Sequence, residues 1–191
     1  FFEVLLAASY GLLLYGGGGA RVRAGLHYIA INLVASLLFL IGVAVLYGVT
    51  GTLNMADIAG KLTAVPEADR GLLHAGAAIL AIAFLAKAAL WPLNFWLPPA
   101  YGAAGAPAGA VFAILTKVGV YALLRTLVML LPASRDVLEP VLAVAAMATL
   151  VLAPMGAIAE TNLRRAIGFM LIGRLGAAPL CTAVPDMQVL G

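Results

Sequence analysis

The chain has 191 residues, 64% of them hydrophobic and only 10% charged, where a soluble domain carries about 25% charged residues. A water-soluble fold of this length cannot hide so much apolar surface, so lipid is the solvent for most of it. The formal charge of +3 does not point to nucleic acid: there is no basic stripe interleaved with aromatics, and the arginines fall in short connections between apolar runs.

The lone cysteine, Cys181, excludes an internal disulfide and a cysteine-built metal site. His27 and His74 stand far apart, without ligand-like spacing. No metal and no cofactor is expected.

Six apolar segments follow in order. The first, Phe1 to Tyr15, is only 15 residues long, shorter than the roughly 20 a helix needs to span. It has neither a charged leader nor a clear small-residue cleavage site. It reads as the second part of a helix, and the chain as a central fragment of a longer protein, with residues 1–191 forming one transmembrane domain. The glycine tetrad Gly16 to Gly19 lacks the strand-to-helix context of a phosphate loop and reads as a flexible hairpin.

The second segment runs from Ala24 to Val49, the third from Leu72 to Leu97 and the fourth from Pro107 to Leu131. The fifth runs from Leu138 to Ala159 and the sixth from Leu163 to Val184. Each of these five is long enough to cross a bilayer at about 1.5 Å per residue. The fold class is therefore all-α, a polytopic bundle of about six helices. Helix breakers mark the connections, among them PPAYGAAGAP at Pro98 to Pro107. Arg21, Arg23, Arg164 and Arg165 sit in the first and fifth connections. They favour the first, third and fifth connections as cytoplasmic.

A few charges lie inside the apolar segments. Lys87 is ten residues before Leu97, and Lys117 is ten residues after Pro107. Both then lie roughly 15 Å from the same face, the middle of a core about 30 Å thick. Glu3, twelve residues before Tyr15, falls at roughly 18 Å. Each ionisable group at this depth costs at least about 2.5 to 3.5 kcal/mol on insertion scales. A buried ion pair of Glu3 with one lysine would lock two helices and leave the second lysine unexplained. A proton relay uses both, because burial and a like charge nearby make a lysine yield its proton more readily. The three side chains are expected at one level, pointing into the bundle.

Pro92, five residues after Lys87, cannot donate to the carbonyl of Ala88, so the third helix should kink or break beside the lysine. Broken helices at mid-membrane suit transporters. Arg174 also falls near mid-depth, eleven residues after Leu163. It reads either as a further relay element or as the partner of an acid outside the chain. Arg125 reads as a snorkelling residue, and Trp91, Trp96 and Tyr101 as interfacial anchors. His74 reads as a solvated rim residue, and Asn32 and Ser36 as interhelical hydrogen-bond partners.

The stretches AKAALWPLNFWLPPAY and ILTKVGVYALLR resemble the antiporter-like membrane subunits. These occur in Mrp-type sodium/proton antiporters, respiratory complex I and membrane-bound hydrogenases. FFEVLLAASYGLL, HYIAINLVASLLFLIGVAVLYGVTGTLNMADIA and TKVGVYALLR look most like the D-type branch of the Mrp group, and ETNLRRAIGF is similar to the family's run into the next helix. The resemblance covers the middle of a member with about fourteen helices.

It implies that Glu3 tunes a channel lysine, that Lys87 is that lysine on a discontinuous helix, and that Lys117 is the bridging lysine. Asn94, Met170 and Arg174 depart from the family pattern. The implied function is proton translocation in a monovalent cation/proton antiporter. The implied partners are other membrane subunits, the lipid bilayer, protons and Na+, in a bacterial plasma membrane. A pumping subunit of a quinone-linked oxidoreductase or membrane hydrogenase is the same-fold alternative, and a non-conducting scaffold subunit the alternative of another class.

Overall fold

The computed structural model describes residues 2–183, with backbone alone at positions 2, 3, 128, 129, 132, 133, 135, 136 and 181–183. Its described secondary structure is helical throughout. Helix α1, Phe2–Leu14, carries Glu3 in its first turn. The side chain of Glu3 lies outside the described residues. Gly16, Gly17 and Gly18 then take φ of 96°, 64° and 99°. Side-chain-bearing residues rarely adopt this left-handed backbone, so the tetrad makes the tight hairpin into α2, Gly19–Thr50.

Helix α2 closes on Gly51, whose N–H reaches the carbonyl of Tyr47 at 2.7 Å. A short helix, α3 (Met55–Lys61), follows. The Asn54 side chain caps it by accepting from the N–H of Ala56 at 3.0 Å, the common role of asparagine at a helix start. Lys61 pairs with Asp57 at 3.0 Å. Its hydrogen bond, with that of Thr52, holds the exposed Asp57 carboxyl below its usual range.

The third apolar segment divides in two. Helix α4 covers Glu67–Ala88 and α5 covers Leu97–Ala103. The expected break is present. The proline-rich connection, read from sequence as a loop, instead opens a short helix. Pro98 and Pro99 occupy its first turn, where no intrahelical donor is needed.

Helix α6, Ala106–Leu124, runs on into a wider π turn over Arg125–Leu130. Helix α7 spans Pro132–Ala159 and α8 spans Leu163–Ala183. Among the described residues, four helical stretches are long and apolar enough to cross a membrane: Gly19–Thr50, Glu67–Ala88, Ala106–Leu127 and Val137–Ala159. The sixth apolar segment, expected to be a fifth such span, is not among them. Arg164, Arg165 and Arg174 on α8 reduce its apolar character.

Small residues set the helix spacing, as in other membrane bundles. A Cβ at Gly42 on α2 would meet Leu80 Cγ on α4 at 2.7 Å and the Gly76 carbonyl at 3.2 Å. A Cβ at Gly119 on α6 would meet the backbone N of Ala88 at 2.9 Å. Two apolar clusters fill the interior. One, with Leu73, Leu80 and Phe84, lies along α4. The other gathers Tyr28, Trp96, Leu97, Phe112 and Leu115 around the break.

Candidate functional site

The break is built from a small set of backbone bonds. Ala89 has φ 53° and ψ 45°, in the left-handed region, and ends α4. Leu90 N–H reaches the carbonyl of Leu85 at 3.1 Å, and Ala89 N–H reaches that of Ala86 at 3.2 Å. This is the paired pattern that commonly closes a helix C-terminus. Alanine in this conformation costs roughly 1 to 2 kcal/mol, so the surrounding packing must hold it. Ala88, Ala89 and Leu90 are fully buried.

Polar groups freed by the break find partners. Trp91 N–H donates to Thr149 Oγ1 on α7 at 2.9 Å, and that hydroxyl donates to Ala145 O at 2.6 Å. The Trp96 indole donates to Ala86 O at 3.1 Å. Pro92 has no N–H to place, and Leu93 N–H turns back to Leu90 O at 2.7 Å. The N–H groups of Ala89, Leu90, Trp91 and Leu93 and the carbonyls of Leu85 and Ala86 thus find partners inside the bundle, as backbone at membrane depth must.

Lys87 occupies the last turn of α4, one residue from its end. It is 5% exposed. Its Nζ donates to Ser36 Oγ on α2 at 3.0 Å. Ser36 lies near the middle of the long α2 helix, so the lysine reaches the bundle at about half depth. The end of α4 also presents carbonyl groups, the negative end of its helix dipole, to this region.

Lys87 borders two spaces. A cavity of about 520 Å³ between α2, α4 and α6 is lined largely by apolar side chains, with Lys87, Tyr121 and Arg125 among them. A much smaller one, of about 10 Å³, lies between Lys87, Tyr28, Asn32 and Thr116. That is near the minimum for a single water.

Lys117 is placed differently. The sequence leads one to expect it inside the bundle, yet it is exposed on the surface of the described chain. It shares a groove of about 250 Å³ with Arg174. Thr116 borders both this groove and the small space at Lys87. Its Oγ1 donates to the carbonyls of Phe112 and Ala113, at 3.2 Å each. Gly119, two residues on, is the point where α6 touches the α4 backbone at Lys87 and Ala88. Thr116 therefore lies between the small space at Lys87 and the groove at Lys117.

Other expectations need correction. Trp96 is 3% and Tyr101 7% exposed, so neither is an interfacial anchor. Both pack in the aromatic cluster around Tyr28 and Phe112. Burying these rings against the break removes more apolar surface than an interfacial position would. Among the described residues, the buried Tyr101 hydroxyl has no hydrogen-bond partner.

His74 is not a solvated rim residue. Its Nδ1 lies 2.9 Å from the hydroxyl of buried Ser134 on α7. Asn32 bonds within its own helix, to Tyr28 O at 2.8 Å. Ser36 does bridge helices, and its partner is Lys87 itself. Arg125 is held on the surface by Tyr121, with 2.7 Å between Nη1 and the phenol oxygen.

One end of the bundle collects the arginines. Arg21 Nε donates to Ala103 O at 3.0 Å, and the same guanidinium also bonds Tyr15 O. Arg164 Nη1 donates to Ala104 O at 3.3 Å. The stem of Arg165 lies against Gly102, and its head pairs with Glu160 at 3.4 Å. The first, third and fifth connections therefore meet at one end, and the carboxyl end of α5 is closed by guanidinium groups. Sequence reasoning had no signal for Thr149, Thr116 or Gly119. Thr149 and Gly119 matter through contacts with a helix distant in the chain, and Thr116 through the two spaces it borders.

Residues 1–188 match the family described as NADH:quinone oxidoreductase/Mrp antiporter, TM. The D-type subunit of a probable K(+)/H(+) antiporter of Rhizobium meliloti (strain 1021) is 63% identical over 125 residues, covering 65% of this chain and 23% of that protein. The corresponding D-type subunit of the Na(+)/H(+) antiporter of Alkalihalophilus pseudofirmus is 38% identical over 177 residues, covering 92% of this chain and 36% of that protein. The chain thus spans about a quarter to a third of these relatives' length.

Among solved structures, a chain of the membrane-bound sulfane sulfur reductase, an archaeal respiratory membrane complex, superposes with a TM-score of 0.88 at 32% identity. The match covers 95% of this chain and 37% of that one. A chain of the Mrp complex from Dietzia sp. DQ12-45-1b gives 0.84 at 31% identity, covering 95% and 34%.

Proposed function

The chain belongs to the NADH:quinone oxidoreductase/Mrp antiporter transmembrane family, and from that premise we propose that it is the central part of a proton-translocating subunit of a multi-subunit monovalent cation/proton antiporter. It is a multi-pass membrane protein with four apolar spans among its described residues. The observation that carries the reading is a single one. A buried lysine, Lys87, stands at the open end of a half-helix near the middle of the bundle.

Lys87 sits at the carbonyl end of α4 and donates to the Ser36 hydroxyl, and its side-chain nitrogen is the proposed site where a proton is taken up and released. Glu3 on α1 is the proposed tuning acid, and Lys117 the proposed next carrier, reached past Thr116. The remaining two thirds of the protein would cover the groove that holds Lys117 and Arg174. The partners in this reading are further membrane subunits of the antiporter, and the setting is a bacterial plasma membrane. Na+ is the proposed exchanged cation. The Rhizobium relative is named for K+, so each ion is to be tried as the driver.

The similarity to an archaeal respiratory complex favours one second reading: a pumping subunit of a redox-linked membrane complex, with the redox centres in its partners. A flux assay driven by a cation gradient, without an electron donor, separates the two.

The test of the relay is Lys87→Ala in the intact complex. Cation-driven pH change in membrane vesicles should fall to background while a blot still shows assembled protein. Loss of the charge removes the proposed proton carrier but not the packing of α4. Glu3→Gln should slow transport and move its pH dependence. Wild-type flux from assembled Lys87→Ala complex would leave only the scaffold reading.

A further inference from the structure

We propose that the cavity between α2, α4 and α6 is a lipid site, taking one acyl chain of an anionic phospholipid whose phosphate rests on Arg125. The proposal does not depend on Lys87 carrying a proton.

The space holds about 520 Å³, within the usual range of ligand pockets. Helices α2 and α6 each pack on α4, which supplies Leu80 and Phe84 to the lining. Phe39 and Leu46 line it from α2, and Val118 from α6. Such walls offer water few partners, and a space of this size left empty forfeits packing along its whole lining. It calls for an apolar occupant.

Its length suits one leaflet. The inner end lies by Lys87, whose Nζ donates to Ser36 near the middle of α2. The outer end lies where the helices close, with Leu53 and Met55 just after α2 and Arg125 just after α6. From Val118 to Arg125 the helix advances about 10 Å, against about 15 Å for half of a hydrocarbon core. Val118 and Tyr121 are 41% and 57% exposed, so the space opens sideways, where lipid tails run.

The charge stands at the outer end. Arg125 is exposed, and Tyr121 holds it, with Nη1 2.7 Å from the phenol oxygen. Among the described residues no carboxylate pairs with it. Asp57, the acid of α3, is taken by Lys61 at 3.0 Å. A guanidinium carries five N–H donors in a fork that matches phosphate, and the contact with Tyr121 uses one. Here α6 also widens into its π turn, a feature frequent at functional sites. Thr126 and Leu130 of that turn line the cavity. An apolar helix from elsewhere in the protein would fill the space but leave Arg125 unmatched. An anionic lipid satisfies both.

The experiment uses the complete complex in vesicles that contain phosphatidylglycerol or phosphatidylcholine with a photoreactive group midway along one acyl chain. Labelled positions are mapped by mass spectrometry and normalised to assembled protein. The anionic lipid should label the buried wall residues Leu46 and Leu80 as well as the exposed Leu33 and Leu37 on the outer face of α2. Arg125→Gln should lower wall labelling by the anionic lipid about tenfold, the loss of one charge-assisted contact, and bring it to the level of the zwitterionic lipid. Ala122→Trp, which puts an indole into the cavity, should remove wall labelling and leave Leu33 and Leu37 labelled. If Ala122→Trp does not assemble, Arg125→Gln decides alone. A wall that stays unlabelled in wild type means that another part of the protein fills the cavity, and overturns the inference. Equal wall labelling by the two lipids, or labelling unchanged in Arg125→Gln, overturns it as well.

Discussion

Hydroxyl groups carry much of the polar bonding around the break. Ser36 meets the lysine, Thr149 receives the Trp91 N–H, and Thr116 borders the spaces at both lysines. Each hydroxyl also bonds a carbonyl of its own helix. None is left with an unsatisfied hydrogen. Tyr101 is the contrast, with a buried hydroxyl that meets no partner among the described residues. Such a group costs about 1 to 3 kcal/mol. Tyr101→Phe keeps the ring packed on Phe112 and removes that cost. The complex should melt at a higher temperature with flux unchanged, as thermal unfolding in detergent would measure. A lower melting temperature would mean that the hydroxyl is satisfied by a part of the protein outside this chain.

Between helices, the decisive contact is α6 against the end of α4. A methyl group at Gly119 would lie 2.9 Å from Ala88 N and 3.1 Å from the Lys87 carbonyl carbon. Neither is the end of a flexible side chain, so the helices must part. Gly119→Ala should destabilise by about 1 to 3 kcal/mol, the usual range for overpacking, and lower flux more than it lowers assembly. Blot and vesicle flux, read together, check this. The break itself was legible in sequence, because Pro92 removes a donor whatever its neighbours are. Lys87 was legible too, since an ammonium inside an apolar run has no cheap explanation. The role of Ser36 as the lysine's partner was not, nor were Thr149 and Gly119. Their importance depends on which helix faces them, and serine, threonine and glycine are ordinary in any membrane helix. Helix α5 was missed because two prolines read as a loop and are also good first-turn residues.

At the scale of the molecule, the outer faces of the helices are apolar. Leu33, Leu37 and Leu40 on α2, and Val144, Met147 and Val151 on α7, are all more than half exposed. Lipid or the rest of the protein must cover them. Met147→Arg, in the middle of α7, should then cost about 2.5 to 3.5 kcal/mol on insertion scales and sharply reduce membrane-integrated protein. Thr63→Arg, in an exposed connection, should change it little. Carbonate extraction of membranes followed by a blot gives the comparison. The arginines at one end bring a further consequence. By the positive-inside rule Arg21 would add to the charge bias that orients helices during insertion, and in the finished fold it joins Tyr15 and Ala103 across two chain segments. Lysine would preserve the first use, since orientation needs only positive charge. It lacks the rigid guanidinium fork that lets one side chain grip both carbonyls. Arg21→Lys would therefore loosen the closure of the half-helix while leaving the orienting charge in place.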